Sequence, residues 1–127
     1  MTSDPRAQLG RLAEDHAARW LETQGAQIVL RNYRRRSGEL DLIAIHRGCL
    51  LIVEVRLRSP SRFGDGAESV DAGKQARIIR TARQLLQQRA DLARLPVRFD
   101  VIAVRPDPDA EGGLHLEWIT HAFTTRA

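Results

Sequence analysis

Between Pro5 and Gly25 the apolar residues Leu9, Leu12, Ala13, Ala17, Trp20 and Leu21 return at helical spacing, so a first helix is expected over 9–24. The period then changes. Residues 27–33 (QIVLRNY) read as a strand, with Arg34, Arg35, Arg36, Ser37 and Gly38 forming the turn after it. Two further strands, 39–46 and 49–57, are separated only by Arg47 and Gly48, which marks a hairpin. Residues 58–70 (RSPSRFGDGAESV) have the composition of a loop. A second helix is expected over 71–90, with Ile78, Ile79, Ala82, Leu85 and Leu86 on its apolar face. Pro96 precedes a strand at 98–105, and a Pro- and Gly-rich stretch leads to a last strand near 114–119. The order α-β-β-β-α-β-β predicts an α/β fold. Its mixed sheet begins as an antiparallel meander, returns parallel through a right-handed helical crossover, and is flanked by helices.

The hairpin can be followed residue by residue. With Arg47 and Gly48 as its loop, His46 faces Cys49, and one side of the sheet carries the apolar pairs Ala44 with Leu51, Leu42 with Val53 and Leu40 with Val55. The other side carries Ile45 with Leu50, Ile43 with Ile52, and then Asp41 with Glu54 and Glu39 with Arg56. Two acids therefore meet on neighbouring strands that are otherwise apolar on both faces, with Cβ atoms roughly 4.5 to 5.5 Å apart. Like charges so placed destabilise each other, and burial sharpens the penalty. Two arrangements relieve it: a static network with Arg56 and another arginine, or a divalent cation held by the carboxylates, with water and substrate phosphate completing its shell. The apolar character of both strands favours the cation, Mg²⁺ or Mn²⁺.

Composition narrows the setting. A chain of 127 residues with 43% apolar content suits one domain, expected to span residues 1–127. The net charge of +4 is a mild basic bias, but Arg31, Arg34, Arg35 and Arg36 crowd one stretch, as either a polyanion-binding patch or a solvated turn. Lys74, Arg77, Arg80 and Arg83 wind a basic stripe round the second helix, with the same two readings. Arg58, Arg62 and Phe63 in the long loop are placed to close on a nucleic acid strand, Phe63 by stacking on a base. Cys49 is the only cysteine, so no internal disulfide is expected, and its strand makes it a core residue. Neither a signal-like leader nor a run of membrane-spanning length is present, so a cytoplasmic location away from membranes is expected. The four histidines show no zinc spacing, and neither a nucleophile elbow nor a phosphate-cradling glycine loop occurs. No small-molecule cofactor is implied. Asp100, between Phe99 and Val101, is expected to hydrogen-bond structurally, and Trp20 and Trp118 to lie in the core or an interface.

GELDLIA (38–44) followed by IVEVRLR (52–58) resembles the YraN family of predicted bacterial endonucleases, which belongs with the restriction-endonuclease-like PD-(D/E)xK nucleases and is similar to archaeal Holliday junction resolvases. The resemblance extends over almost the whole chain. It takes in Gly10, Glu14 and Ala17, then Arg31 and Asn32, Lys74 with Gln75, and RFDVIAV (98–104). It implies metal-dependent hydrolysis of DNA phosphodiesters, on branched or single-stranded DNA, with Asp41 and Glu54 as metal ligands and Glu14 completing the site from the first helix. Read from helical spacing alone, Glu14 is an exposed helix glutamate. Glu39 and Gln75 are expected beside the ligands, although Glu39 has a simple alternative partner in Arg56. By analogy with resolvases, which make two symmetric incisions, a homodimer is expected.

This chain departs from the family pattern at Arg56, where the family has lysine. Arginine stays charged, so Arg56 can orient water or stabilise negative charge but cannot act as a general base. Either the metal alone activates the water, or Lys74, one turn before Ile78 and on its side of the helix, supplies the lysine. Lys74 reads equally well as a solvated helix end. A nucleic-acid-binding module that lost turnover at Arg56 is the alternative function, and a structural protein in which acids and arginines only pair is the third.

Overall fold

In a computed structural model of the chain, residues 5–58 and 70–124 are described, with side chains from residue 7 onward. The elements are α1 (Pro5–Thr23), β1 (Gln27–Arg35), β2 (Gly38–His46), β3 (Cys49–Leu57), α2 (Ala72–Gln88), α3 (Ala90–Ala93), β4 (Val97–Pro106) and β5 (Leu114–Phe123). The five strands form one sheet in the order β1-β2-β3-β4-β5. Strands β1 to β3 are an antiparallel meander, β4 returns parallel to β3 after α2, and β5 is antiparallel to β4. The expected mixed sheet between helices is present. Among the described residues, no helix is long and apolar enough to cross a membrane.

The β2–β3 hairpin has the register read from the sequence, with His46 opposite Cys49 and Leu42 opposite Val53. Its loop residues Arg47 and Gly48 have φ of 52° and 75°, the two positive values that match the twist of paired strands. Each sheet face is closed by one helix. Ala13, Ala17, Ala18 and Leu21 of α1 cover Leu42, Ala44, Leu51, Val53, Ile102 and Val104. Ile78, Ala82 and Leu85 of α2 cover Leu40, Ile43, Leu50, Ile52, Phe99 and Val101. Gly38 lets α2 approach: a Cβ there would lie 3.3 Å from Thr81 Oγ1, and Ser37 Oγ reaches the same hydroxyl at 2.8 Å.

Several expectations need correction. Leu40, expected on the face of Leu42 and Ala44, packs instead under α2 with Ile43. The β2–β3 ladder stops at Leu42, and strict alternation does not hold beyond it. Arg34 and Arg35 belong to a strand rather than a turn, because β1 continues along β2 with Arg34 opposite Glu39 and Arg35 opposite Gly38. Helix α1 begins earlier, and its Leu12 is exposed, since the buried stripe runs through positions 13, 17 and 21. The second helix ends at Gln88, α3 follows as a separate turn, and β5 runs four residues past Ile119. Residues 59–69, which include Arg62 and Phe63, lie outside the described residues.

The expected structural role of Asp100 is present. Fully buried, it accepts two bonds from Arg98 at 2.8 Å each, one from Trp118 Nε1 at 2.9 Å and one from the His121 N–H at 3.1 Å. Trp118 in turn meets Trp20 edge-on, with centroids 5.3 Å apart, tying β5 to α1. Cys49 is half-buried at the border of the same cluster. Asp100→Ala leaves the Arg98 guanidinium without its carboxylate, so a loss of about 3 kcal/mol is expected in chemical denaturation. A loss below about 1 kcal/mol would show that Asp100 does not organise this corner.

Candidate metal centre

The site begins where the β2–β3 ladder ends. One step past the Leu42–Val53 pair, Asp41 and Glu54 come together and share a hydrogen bond. Instead of a backbone carbonyl, Asp41 Oδ2 accepts the Val55 N–H at 2.9 Å, which anchors one oxygen of the carboxylate. Glu54 is buried, with 7% of its surface exposed. Two carboxyl groups in a nearly dry place cannot both ionise cheaply. Burial first, then the charge of Glu54, pushes the Asp41 carboxyl up to about 8, against a downward pull from the Val55 N–H. Glu14 is near enough for its charge to add to this effect.

Each helix sends one group toward the pair. From the first turn of α2, Lys74 Nζ lies 3.2 Å from Glu54 Oε1, a contact that its spacing from Ile78 made possible. From α1, Glu14 approaches on the opposite face, its own carboxyl raised by burial and by Glu39 and lowered by Arg31 and Asn32. Asn32 of β1 stands between the two outer acids. With its amide nitrogen turned toward them, it donates to Glu14 Oε1 at 3.0 Å and to Glu39 Oε1 at 3.1 Å. Its backbone is left-handed, with φ of 53°, a conformation that asparagine tolerates better than most residues. This role was not read from the sequence. The only available signal was an asparagine in a strand beside an arginine run, which also fits an ordinary strand end.

The remaining candidates are more dispersed. Glu39 pairs across the strands with Arg34, Nε to Oε2 at 3.3 Å. Gln75 donates to the Val70 carbonyl at 2.8 Å, fixing the point where the chain enters α2. Arg56 is half-buried on β3, two positions after Glu54 and level with Ala103 of β4. Arg58 leaves the same strand, with its N–H on the Val104 carbonyl at 2.7 Å. Arg35 lies over the Tyr33 ring at 4.2 Å and bonds Gln88, while Arg36 and Arg77 are exposed. Arg31 is bonded to Asp15 at 2.5 Å. A cleft of about 530 Å³ lies between α1 and β5, and its lining includes His16, Trp20 and His115 but neither Asp41 nor Glu54.

The donor set suits a hard cation. Two carboxylates supply oxygen ligands, and the charge of Glu54 acting on Asp41 marks a place where added positive charge is favourable. Among the described residues, no group of three or more His, Cys, Asp or Glu side chains is gathered closely enough to enclose a metal. Mg²⁺ commonly keeps several waters and takes only one or two carboxylates.

The architecture is thus that of an α/β protein whose five-stranded sheet carries paired acids at the end of its central hairpin. Residues 13–104 match the family described as "Uncharacterised protein family UPF0102", and the chain belongs to that family. It is 44% identical over 129 residues to a UPF0102 protein of Cupriavidus taiwanensis, covering 99% of this chain and 91% of that protein. With UPF0102 proteins of Pseudomonas savastanoi and Dechloromonas aromatica the identities are 41% and 43%, over 97% and 96% of this chain and 98% and 93% of theirs. The resemblance to YraN holds at this level of family membership.

The raised Asp41 carboxyl sets a pH dependence of stability for metal-free protein. Its folded pKa of about 8 lies above the ordinary 3.8, so the native state binds the extra proton. The associated stability is complete below about pH 4 and is lost as pH rises through 8. In EDTA, Asp41→Asn should therefore lose less stability than the wild type between pH 5 and 8.5 in parallel urea titrations. Parallel curves for the two proteins would show that Asp41 titrates normally.

Proposed function

We propose that this protein is a Mg²⁺- or Mn²⁺-dependent endonuclease that hydrolyses DNA phosphodiester bonds, of the PD-(D/E)xK kind. The observation that carries this reading is the contact between Asp41 and Glu54 at the ladder end, with Lys74 3.2 Å from Glu54. Asp41 and Glu54 would hold the cation, with Glu14 alongside. A divalent ion bound there supplies Lewis acidity toward a phosphate oxygen and lowers the pKa of a bound water.

The chain's own residues account for the rest. The Val55 N–H and Lys74 orient the two carboxylates, which keeps the donor pair in place without a substrate. Lysine presents a compact ammonium with three donors, whereas arginine presents a planar fork that stays charged. Lys74 brings an ammonium beside the second acid, where the family pattern has its lysine, and Arg56 offsets negative charge on the substrate. Arg34, Arg35, Arg36, Arg58 and Arg77 give the domain cations for a phosphate backbone. The acids lie at a sheet end rather than lining the α1–β5 cleft, as suits a polymer that must lie across the site. Preference for branched or single-stranded DNA, and a homodimer making paired cuts, follow from the likeness to resolvases.

Purified protein is expected to cut branched, single-stranded or duplex DNA with Mg²⁺ or Mn²⁺ and not with EDTA. Asp41→Ala or Glu54→Ala should lower the rate at least about a hundredfold. Lys74→Met should cost on the order of 10²-fold, and Arg56→Lys should retain or raise the rate. Salt-sensitive DNA binding without cutting in either metal would replace the enzyme by a binding module. Absence of both binding and cutting would remove nucleic acid as the partner.

A further inference from the structure

We infer that Asn32 is a positioning residue that holds Glu14 toward the Asp41–Glu54 pair, an inference that rests on the metal-centre reading above. Asn32 sits on β1 between the pairs Arg31–Leu42 and Tyr33–Leu40, which puts it level with Asp41 on the next strand. Tyr33 and Leu40 pack on the α2 face, where Tyr33 Oη donates to Gln88 Oε1 at 2.7 Å. The Asn32 amide goes to the opposite face and meets Glu14 of α1.

The chemistry of the amide suits this place. Its two N–H groups serve two carboxylates, one on Glu14 and one on Glu39, and fix their separation. A lysine or arginine here would also hold the acids, but its full positive charge would compete with a cation for them. Asparagine orients the oxygens and leaves their charge in place. A carboxylate has about four acceptor positions, so one amide bond does not exhaust Glu14. The neighbouring residues repeat the link: Arg31, just before Asn32, is bonded to Asp15, just after Glu14, at 2.5 Å. The same stretch of α1 is thus tied twice to the same stretch of β1, and only the Asn32 tie addresses an acid near the paired carboxylates. Its left-handed backbone, φ 53°, fits a residue kept for where its side chain points.

Asn32→Ala removes the amide and also burdens the backbone, so a folding defect would obscure its meaning. Asn32→Gly removes the amide and adopts the positive φ freely. Calorimetric titration of Mn²⁺ into wild type, Glu14→Ala, Asn32→Gly and the double variant, with melting temperatures measured alongside, separates the outcomes. Asn32→Gly is expected to stay folded and bind Mn²⁺ about 10- to 100-fold more weakly, as when partners of metal ligands are removed elsewhere. The double variant should bind no more weakly than Glu14→Ala alone, because Asn32 acts through Glu14. Wild-type affinity in Asn32→Gly or in Glu14→Ala, or losses that add in the double variant, would overturn the inference and leave the metal centre standing. Failure of the wild type to take up Mn²⁺ would overturn the metal centre and the inference with it.

Discussion

Repulsion between the carboxyl groups of Asp41 and Glu54 is the constraint to which the surrounding structure answers. A two-residue loop sets the hairpin register, and that register brings two acids together at the end of a pairing that is apolar on both faces. Water is largely excluded, so neither solvent nor distance screens the pair. The protein meets the cost in three partial ways: the Val55 N–H on Asp41, the Lys74 ammonium near Glu54, and an Asp41 carboxyl whose affinity for its proton is raised by burial and by Glu54. All three supply positive charge or a donated hydrogen. A divalent cation would supply more of the same at one point.

The fold brings these groups together from elements far apart in sequence. Antiparallel pairing of β2 and β3 supplies the acids, while the crossover to parallel β4 carries α2 across one face and sets Lys74 at its first turn. Helix α1 closes the other face and places Glu14 beside β1, where Asn32 meets it. Both helices are held by ordinary apolar packing, so the energy that maintains the site comes mainly from the core rather than from the charged groups. Asp100 and the two tryptophans brace β4 and β5 in the same manner, with each polar atom of the buried carboxylate given a partner.

The parts legible in the sequence were those governed by short-range rules. Arg47 and Gly48 specify a tight loop, and counting from it gives the register as far as Leu42 and Val53, one step short of the two acids. Helical spacing alone set Lys74 on the side of Ile78, which faces the sheet. The crossover followed from a helix lying between two apolar strands. What could not be read depended on departures from regularity. Leu40 leaves the face of Leu42 where pairing with β3 has ended while pairing with β1 continues, and a strand pattern carries no mark of where one of two ladders stops. Arg34 and Arg35 look like turn residues until pairing with Glu39 and Gly38 shows an edge strand tolerant of charge. The bridging of Glu14 and Glu39 by Asn32 depends on a left-handed residue and on three elements meeting, and neither is encoded locally.

The most direct test of this account is the titration of the Asp41 side-chain carboxyl by carbon-13 NMR, first without divalent metal and then in saturating Mg²⁺. A midpoint well above the ordinary 3.8 is expected in the metal-free protein, with a clear fall once Mg²⁺ is present. A midpoint near the ordinary value of 3.8, unmoved by Mg²⁺, would contradict it.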